Sequence, residues 1–238
     1  MTTTILDIQK ALAAKGFDPG PLDGERGRLT TGAVLAFQAS VGLKADGIVD
    51  AATLARLLPG AAPDSLSLAA TLPWLAEAQR LLGLKEDTSA GSNAQILQWA
   101  KDIGVSYHDD DVPWCGLFVA HCIGSQLPRE PLPSNPLGAR SYGRFGKAVD
   151  PQPGAVMVFW RESLESGKGH VGFYVAETTD GQFLILGGNQ GNAVSITAKP
   201  RNRFLGARWP ITAPPATGGK VLAANVRNSD RVLEQQEV

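Results

Sequence analysis

"GHVGFYVAETTDGQFLILGGNQG", residues 169–191, decides the fold of the C-terminal half. Val171, Phe173 and Val175 alternate with His170, Gly172 and Tyr174, the period-two pattern of a strand with one buried face. Asp180-Gly181 is a strong hairpin signal, because both residue types tolerate the positive φ of a tight two-residue turn. "FLILGGNQG" is then the return strand. With Asp180 and Gly181 as the turn, Gly172 faces Asn189 and His170 faces Gly191, so His170 and Asn189 are diagonal neighbours on one face. Gln190 points to the other face, where it is expected to shape a substrate cleft; a one-residue bulge would bring it to His170 instead. Upstream, "PGAVMVFWR" (153–161) reads as another strand.

The preceding stretch is "DVPWCGLFVAHCIG", residues 111–124. Asp110 or Asp111 can cap a helix that begins near Pro113. Cys115 then falls in the first turn, where unpaired N–H groups and the helix dipole lower a thiol's pKa. A thiolate there is a nucleophile, and its own N–H is an oxyanion donor. Cys122 lies two turns on, about 10 Å away, too far for a disulfide, and reads as a small core residue. A nucleophilic thiol needs a base. His121 points about 240° round the helix from Cys115, and His108 sits in the loop before it. His170 is the better base, and Asn189 can fix its tautomer, so the catalytic set is Cys115, His170 and Asn189. Tyr107, Trp114 and Trp160 are candidate cleft walls, with Gln190 beside them.

Metal chemistry is not indicated. The chain has three histidines and neither a Cys-x-x-Cys nor a His-x-x-x-His pair. "HDDD" (108–111) offers oxygens for calcium but lacks the EF-hand pattern, and reads as a capped, solvated loop. No cofactor is expected.

The wider chain sets the frame. It has 238 residues, a formal net charge of -1 and 43% hydrophobic residues. These values suit one large or two small globular domains with no electrostatic footprint for nucleic acid. A monomer is expected. No run of about 18 apolar residues suggests a membrane span, and "MTTTILDIQKALAAKGF" lacks a basic, then apolar, secretory leader. The expectation is synthesis in a cytoplasm and action on a cell wall after release or injection, with any delivery or immunity partner unspecified.

Residues 1–58 read as three short helices separated by turns, with Ile5, Ile8 and Leu12 on one stripe and Ala33, Val34, Phe37 and Val41 on another. So small a core suits binding better than multi-step chemistry. Residues 59–72 read as a linker, residues 73–212 as a second domain opened by helices at "TLPWLAEAQRLLGLKE" and "NAQILQWAKDIG", and residues 213–238 as a C-terminal extension.

Two resemblances follow. "GPLDGERGRLTTGAVLAFQASVGLKADGIVDAATLARLL" resembles the peptidoglycan-binding domain found beside many cell-wall hydrolases. Asp23, Gly24, Gly27, Thr30, Phe37 and Gln38 carry the first half of its pattern, and Gly42, Leu43, Asp46, Gly47 and Thr53 the second. Arg26 stands where an aromatic is usual and Asp50 where glycine is common, changes expected on the binding surface rather than in the fold. "PWCGLFVAHC", "PGAVMVFW", "GHVGFYV" and "LGGNQGNAVSI" together resemble the CHAP and NlpC-type papain-like peptidoglycan amidases and endopeptidases. Members often carry Asp where Ala155 stands, and some carry Glu where Gly187 stands, which leaves Asn189 as the orienter in this stretch.

The resemblances imply an all-α peptidoglycan-binding module joined to an α+β papain-like domain, helices packed on an antiparallel sheet. The implied activity is cysteine-dependent hydrolysis of an amide bond in the peptidoglycan stem, as in a phage endolysin or an injected antibacterial effector. The alternatives are a non-catalytic wall-binding or virion structural protein, and a cysteine acyltransferase or transpeptidase on the same fold.

Overall fold

The computed structural model describes residues 3–61, 72–87 and 91–215. Most of the expected linker and of the C-terminal extension lies outside them. The chain divides into two compact units. The first comprises Met1–Glu77, Cys122–Glu130 and Ile211–Pro215; the second comprises Ala78–His121, Pro131–Pro210 and Ala216–Val238. Among the described residues no helix is long and apolar enough to cross a membrane.

In the first unit α1 (Ile5–Ala14), α2 (Arg28–Ser40) and α3 (Ala51–Leu57) enclose a core of Ile8, Leu12, Val34, Phe37 and Leu54. Thr4 and Asp7 close a reciprocal capping box on α1, and Asp50 accepts from the Thr53 N–H at the start of α3. Asp50 is therefore a helix cap.

The helices are too short to define the loops between them, and two buried glutamines do so. Gln9 accepts from the Gly24 N–H and donates to Asp23, Thr30 and the carbonyls of Pro21 and Glu25. Gln38 repeats the device on Gly47, Asp46, Thr53 and the Ile48 carbonyl. Both glycines hold positive φ, 79° and 80°. A polar side chain this buried is tolerable because its whole amide is satisfied.

Arg26 departs from the surface role expected of it. It is buried, donates to the Gly47 carbonyl, and burial brings its pKa down to about 10 against the opposing charge of Asp46. Gln126 donates to the Arg26 carbonyl, and Glu130 accepts from the backbone N–H groups of Ile211 and Thr212.

The second unit is built on a six-stranded antiparallel sheet of β1 (Lys147–Val149), β2 (Val156–Trp160), β3 (Gly169–Glu177), β4 (Phe183–Gly187), β5 (Ser195–Lys199) and β6 (Phe204–Trp209). The spatial order is β1-β6-β2-β3-β4-β5. Helix α4 (Pro73–Arg80) precedes α5 (Ala94–Asp102) and α6 (Cys115–Gln126). Trp99 of α5 packs on Phe118 of α6, which meets Phe173 of β3.

β3 is not half-exposed as its alternation suggests. Its other face carries Tyr174, packed on Phe183 in a cluster with Phe159 and Phe204, so the strand is buried on both sides. His170 and Gly172 interrupt the apolar pattern on a face that is itself buried, so the alternation does not mark a solvated side.

Candidate functional site

Cys115 opens α6 as expected, but its cap is different. The Asp110 carboxylate accepts from the backbone N–H groups of Asp87 and Asn93, stapling neighbouring loops rather than capping the helix. Asp109, Asp110 and Asp111 bring their carboxylates together, and loop-stapling by Asp110 accounts for its burial. Tyr107 donates from its hydroxyl to the Val112 carbonyl at 2.6 Å and so pins the approach to α6. Gly116 follows the cysteine because a Cβ there would collide with the Leu137 carbonyl, and Tyr142 donates to the Gly116 carbonyl at 2.9 Å.

Cys115 is 4% exposed. Burial pushes its pKa up, opposed by hydrogen bonds from the Val171 and Gly116 N–H groups and by the Arg161 charge. The expectation of a lowered pKa therefore fails: desolvation disfavours the thiolate more than the helix start favours it. Cys115 and Cys122 are both buried, and neither is in a disulfide.

The Val171 N–H that meets the sulfur belongs to the residue directly after His170. His170 is itself buried, and its Nε2 lies 3.0 Å from Gln190 Oε1. No hydrogen bond joins the thiol to the imidazole among the described residues. Burial and the Lys199 charge bring the His170 pKa down to about 3; the Gln190 hydrogen bond opposes this and the Arg161 charge adds to it. The imidazole is thus neutral at physiological pH. An unfolded histidine protonates near pH 6.5, so His170 contributes stability above that value that is lost as pH falls towards 3.

Gln190, not Asn189, is the partner of His170. The hairpin explains why. Its turn spans three residues, 179–181, between Thr178 and Gln182, and the ladder slips again between Tyr174 and Ala176. Phe173 therefore faces Leu186, where a two-residue turn would put Gly188. Two one-residue shifts restore the parity of the faces. What moves Asn189 is the end of β4 at Gly187, followed by left-handed backbone at Asn189 (φ 55°), Gly191 (60°) and Asn192 (60°). Past Gly187 strand alternation no longer applies, and the turn swings Gln190 back under the ring.

Gly187 makes the space. A Cβ there would lie 3.0 Å from His170 Nε2 and 3.3 Å from Gln190 Cδ. The space that Gly187 leaves is filled by the Gln190 amide.

The orientation of that amide is over-determined. Its Nε2 donates to the carbonyls of Ile185, Gly187 and Ser195, while its Oε1 accepts from Thr197 and faces the imidazole. A flipped amide would set its oxygen against three carbonyl oxygens. Oε1 therefore accepts, His170 Nε2 carries the proton, and Nδ1 keeps its lone pair.

The remaining candidates sort clearly. Trp114 is fully buried against Trp99 and donates to Glu86, so it is core. Trp160 lines a cavity of about 320 Å³ together with His170, Asn189 and Gln190. His121 stacks on Trp99, and His108 meets Ser106.

Glu86 is a residue that sequence reasoning missed. One oxygen accepts from both Trp114 Nε1 (3.0 Å) and Asn189 Nδ2 (3.4 Å), linking the residue before Cys115 to the residue before Gln190. A lone glutamate in an irregular stretch carries no local signature of that task.

These charge states have a measurable consequence. Alkylation of Cys115 by iodoacetamide, followed at that peptide by mass spectrometry, is expected to be slow at neutral pH. It should still be climbing above the ordinary thiol value of 9. A thiolate–imidazolium pair would instead give a plateau from roughly pH 4 to 8.

Residues 3–57 match the family model described as "Putative peptidoglycan binding domain". No curated protein and no solved structure matches the chain.

Proposed function

We propose that a chain with a peptidoglycan-binding domain at residues 3–57 is a peptidoglycan hydrolase, cutting an amide bond of the stem peptide with Cys115 as nucleophile. The observation that carries this reading is one juxtaposition. The Cys115 thiol sits at the first turn of α6 on the Val171 N–H, and the adjacent His170 is held by Gln190 in the Nδ1-basic tautomer.

Starting from two neutral groups, His170 Nδ1 takes the thiol proton as sulfur attacks the carbonyl carbon. The Cys115 N–H donates to the developing oxyanion. Collapse of the tetrahedral species breaks the C–N bond, and the imidazolium returns its proton to the leaving amine. Water, deprotonated by Nδ1, then hydrolyses the thioester and frees Cys115. Because no proton has moved in the resting state, binding of substrate must bring thiol and imidazole into hydrogen-bond contact, a tightening common to acid–base sites. The sheet, with α6 on β3 and α5 on α6, is consistent with a papain-like domain. The binding module raises the local concentration of wall substrate. The reading places the protein's work at the cell wall, reached by release or injection.

A second reading, a wall-binding protein without catalysis, draws on the burial of Cys115 and its raised pKa. Dye-labelled sacculi separate the two. Full-length Cys115→Ala is expected to pellet with sacculi without releasing dye, and the unaltered protein to bind and release it. Binding without release by both would favour the second reading.

A further inference from the structure

The cavity beside His170 is lined by Arg161, Lys199 and Arg203, with Asn192 and Trp160, and among the described residues no acidic side chain lines it. These cations come from three separate places: the end of β2, the end of β5 and the short 3-10 turn 201–203. Arg203 is fixed over the Trp160 ring, its guanidinium carbon 5.3 Å from the centroid, and Trp160 Nε1 donates to the Asn202 carbonyl at 3.1 Å. The charges of Lys199 and Arg161 reach the imidazole, since both disfavour its protonation. A chain of net charge -1 thus collects three cations round one cavity next to the candidate base. An anion in the cavity is attracted by all three.

We propose that this cavity binds a free carboxylate of the substrate, held by Arg161, Lys199 and Arg203 while the scissile carbonyl lies at Cys115. The inference rests on the hydrolase reading and names its specificity: peptide stems bearing an ionised carboxylate near the cut amide, in preference to their carboxamide forms. Carboxylate suits the site better than a polyol phosphate because the ligand must be continuous with an acyl group beside His170. A volume near 320 Å³ is at the lower end of small-molecule pockets and fits one amino-acid unit. Bound there, the carboxylate also offsets the cations that oppose imidazolium formation, so it assists the first proton transfer.

The test uses full-length Cys115→Ala and titration calorimetry with a soluble stem tetrapeptide, as the free acid and as the carboxamide. The free acid is expected to bind about tenfold more tightly, with the difference shrinking as salt is raised. Arg161→Gln, Lys199→Gln and Arg203→Gln should each weaken the acid several-fold and leave the amide unchanged. Circular dichroism excludes unfolding, and an NMR titration of His170 should move its pKa upward with the acid alone. Equal binding of acid and amide overturns the proposal, as does glycerol phosphate binding more tightly than the acid. The two readings fail separately. Unaltered protein that cuts acid and amide stems equally leaves the hydrolase standing and removes the carboxylate site. Selective binding of the acid with no cleavage by the unaltered protein does the reverse.

Discussion

Gln190→Ala is expected to lower kcat by about 10- to 10⁴-fold with little change in KM, because an orienting group acts chiefly on the transition state. Without Oε1 nothing selects the Nε2-protonated tautomer, and part of the His170 population carries its proton on Nδ1, where it cannot accept from the thiol. Asn189→Gly should cost far less. Asn189 touches Glu86 rather than the imidazole, and glycine keeps its left-handed backbone, φ 55°. The Gln190 amide also serves three carbonyls, so its loss has a structural component. The ¹⁵N shifts of His170 separate the two effects: a folded Gln190→Ala protein should show mixed tautomers, and Asn189→Gly a single one. A fully active Gln190→Ala enzyme beside an inactive Asn189→Gly enzyme would return the orienting role to Asn189.

Cys115→Ala carries the largest expected loss, roughly 10⁴- to 10⁶-fold in kcat, since nothing replaces the nucleophile. Its folding cost is small, because the thiol is a small buried group. Cys115→Ser keeps an acceptor for the Val171 N–H and should fold as the parent does, yet remain nearly inactive, a serine hydroxyl being far harder to deprotonate.

The two residues at the centre of this site were legible in the chain for different reasons. Pro113-Trp114 followed by an apolar helical run marks where Cys115 starts a helix, and period-two alternation places His170 on a strand. Both signals are local. The hydrogen-bond partner of His170 was not legible, because it depends on where β4 stops. "GGNQG" carried the warning: three glycines and an asparagine in five residues favour a left-handed turn over a continuing strand.

The sign of the thiol's pKa shift was equally hidden. A helix start is visible in sequence, but the desolvation that outweighs it comes from residues remote in the chain. The same holds for Arg26, a departure expected to alter the binding surface, yet enclosed by elements brought together only on folding. Glu86 acts through Trp114 and Asn189, 28 and 103 residues away. In the binding module the Asp-Gly turns were visible, while the paired roles of Gln9 and Gln38 emerged only when their amides were seen on those turns.

The most direct test of the central claim is to digest purified peptidoglycan with the full-length protein and with Cys115→Ala, then identify the products by mass spectrometry. The account predicts one new amine and one new carboxyl terminus at a single stem amide bond with the unaltered protein. It predicts neither with Cys115→Ala, although that variant still pellets with the sacculi. The absence of new termini with the unaltered protein, or the same termini from Cys115→Ala, would contradict it.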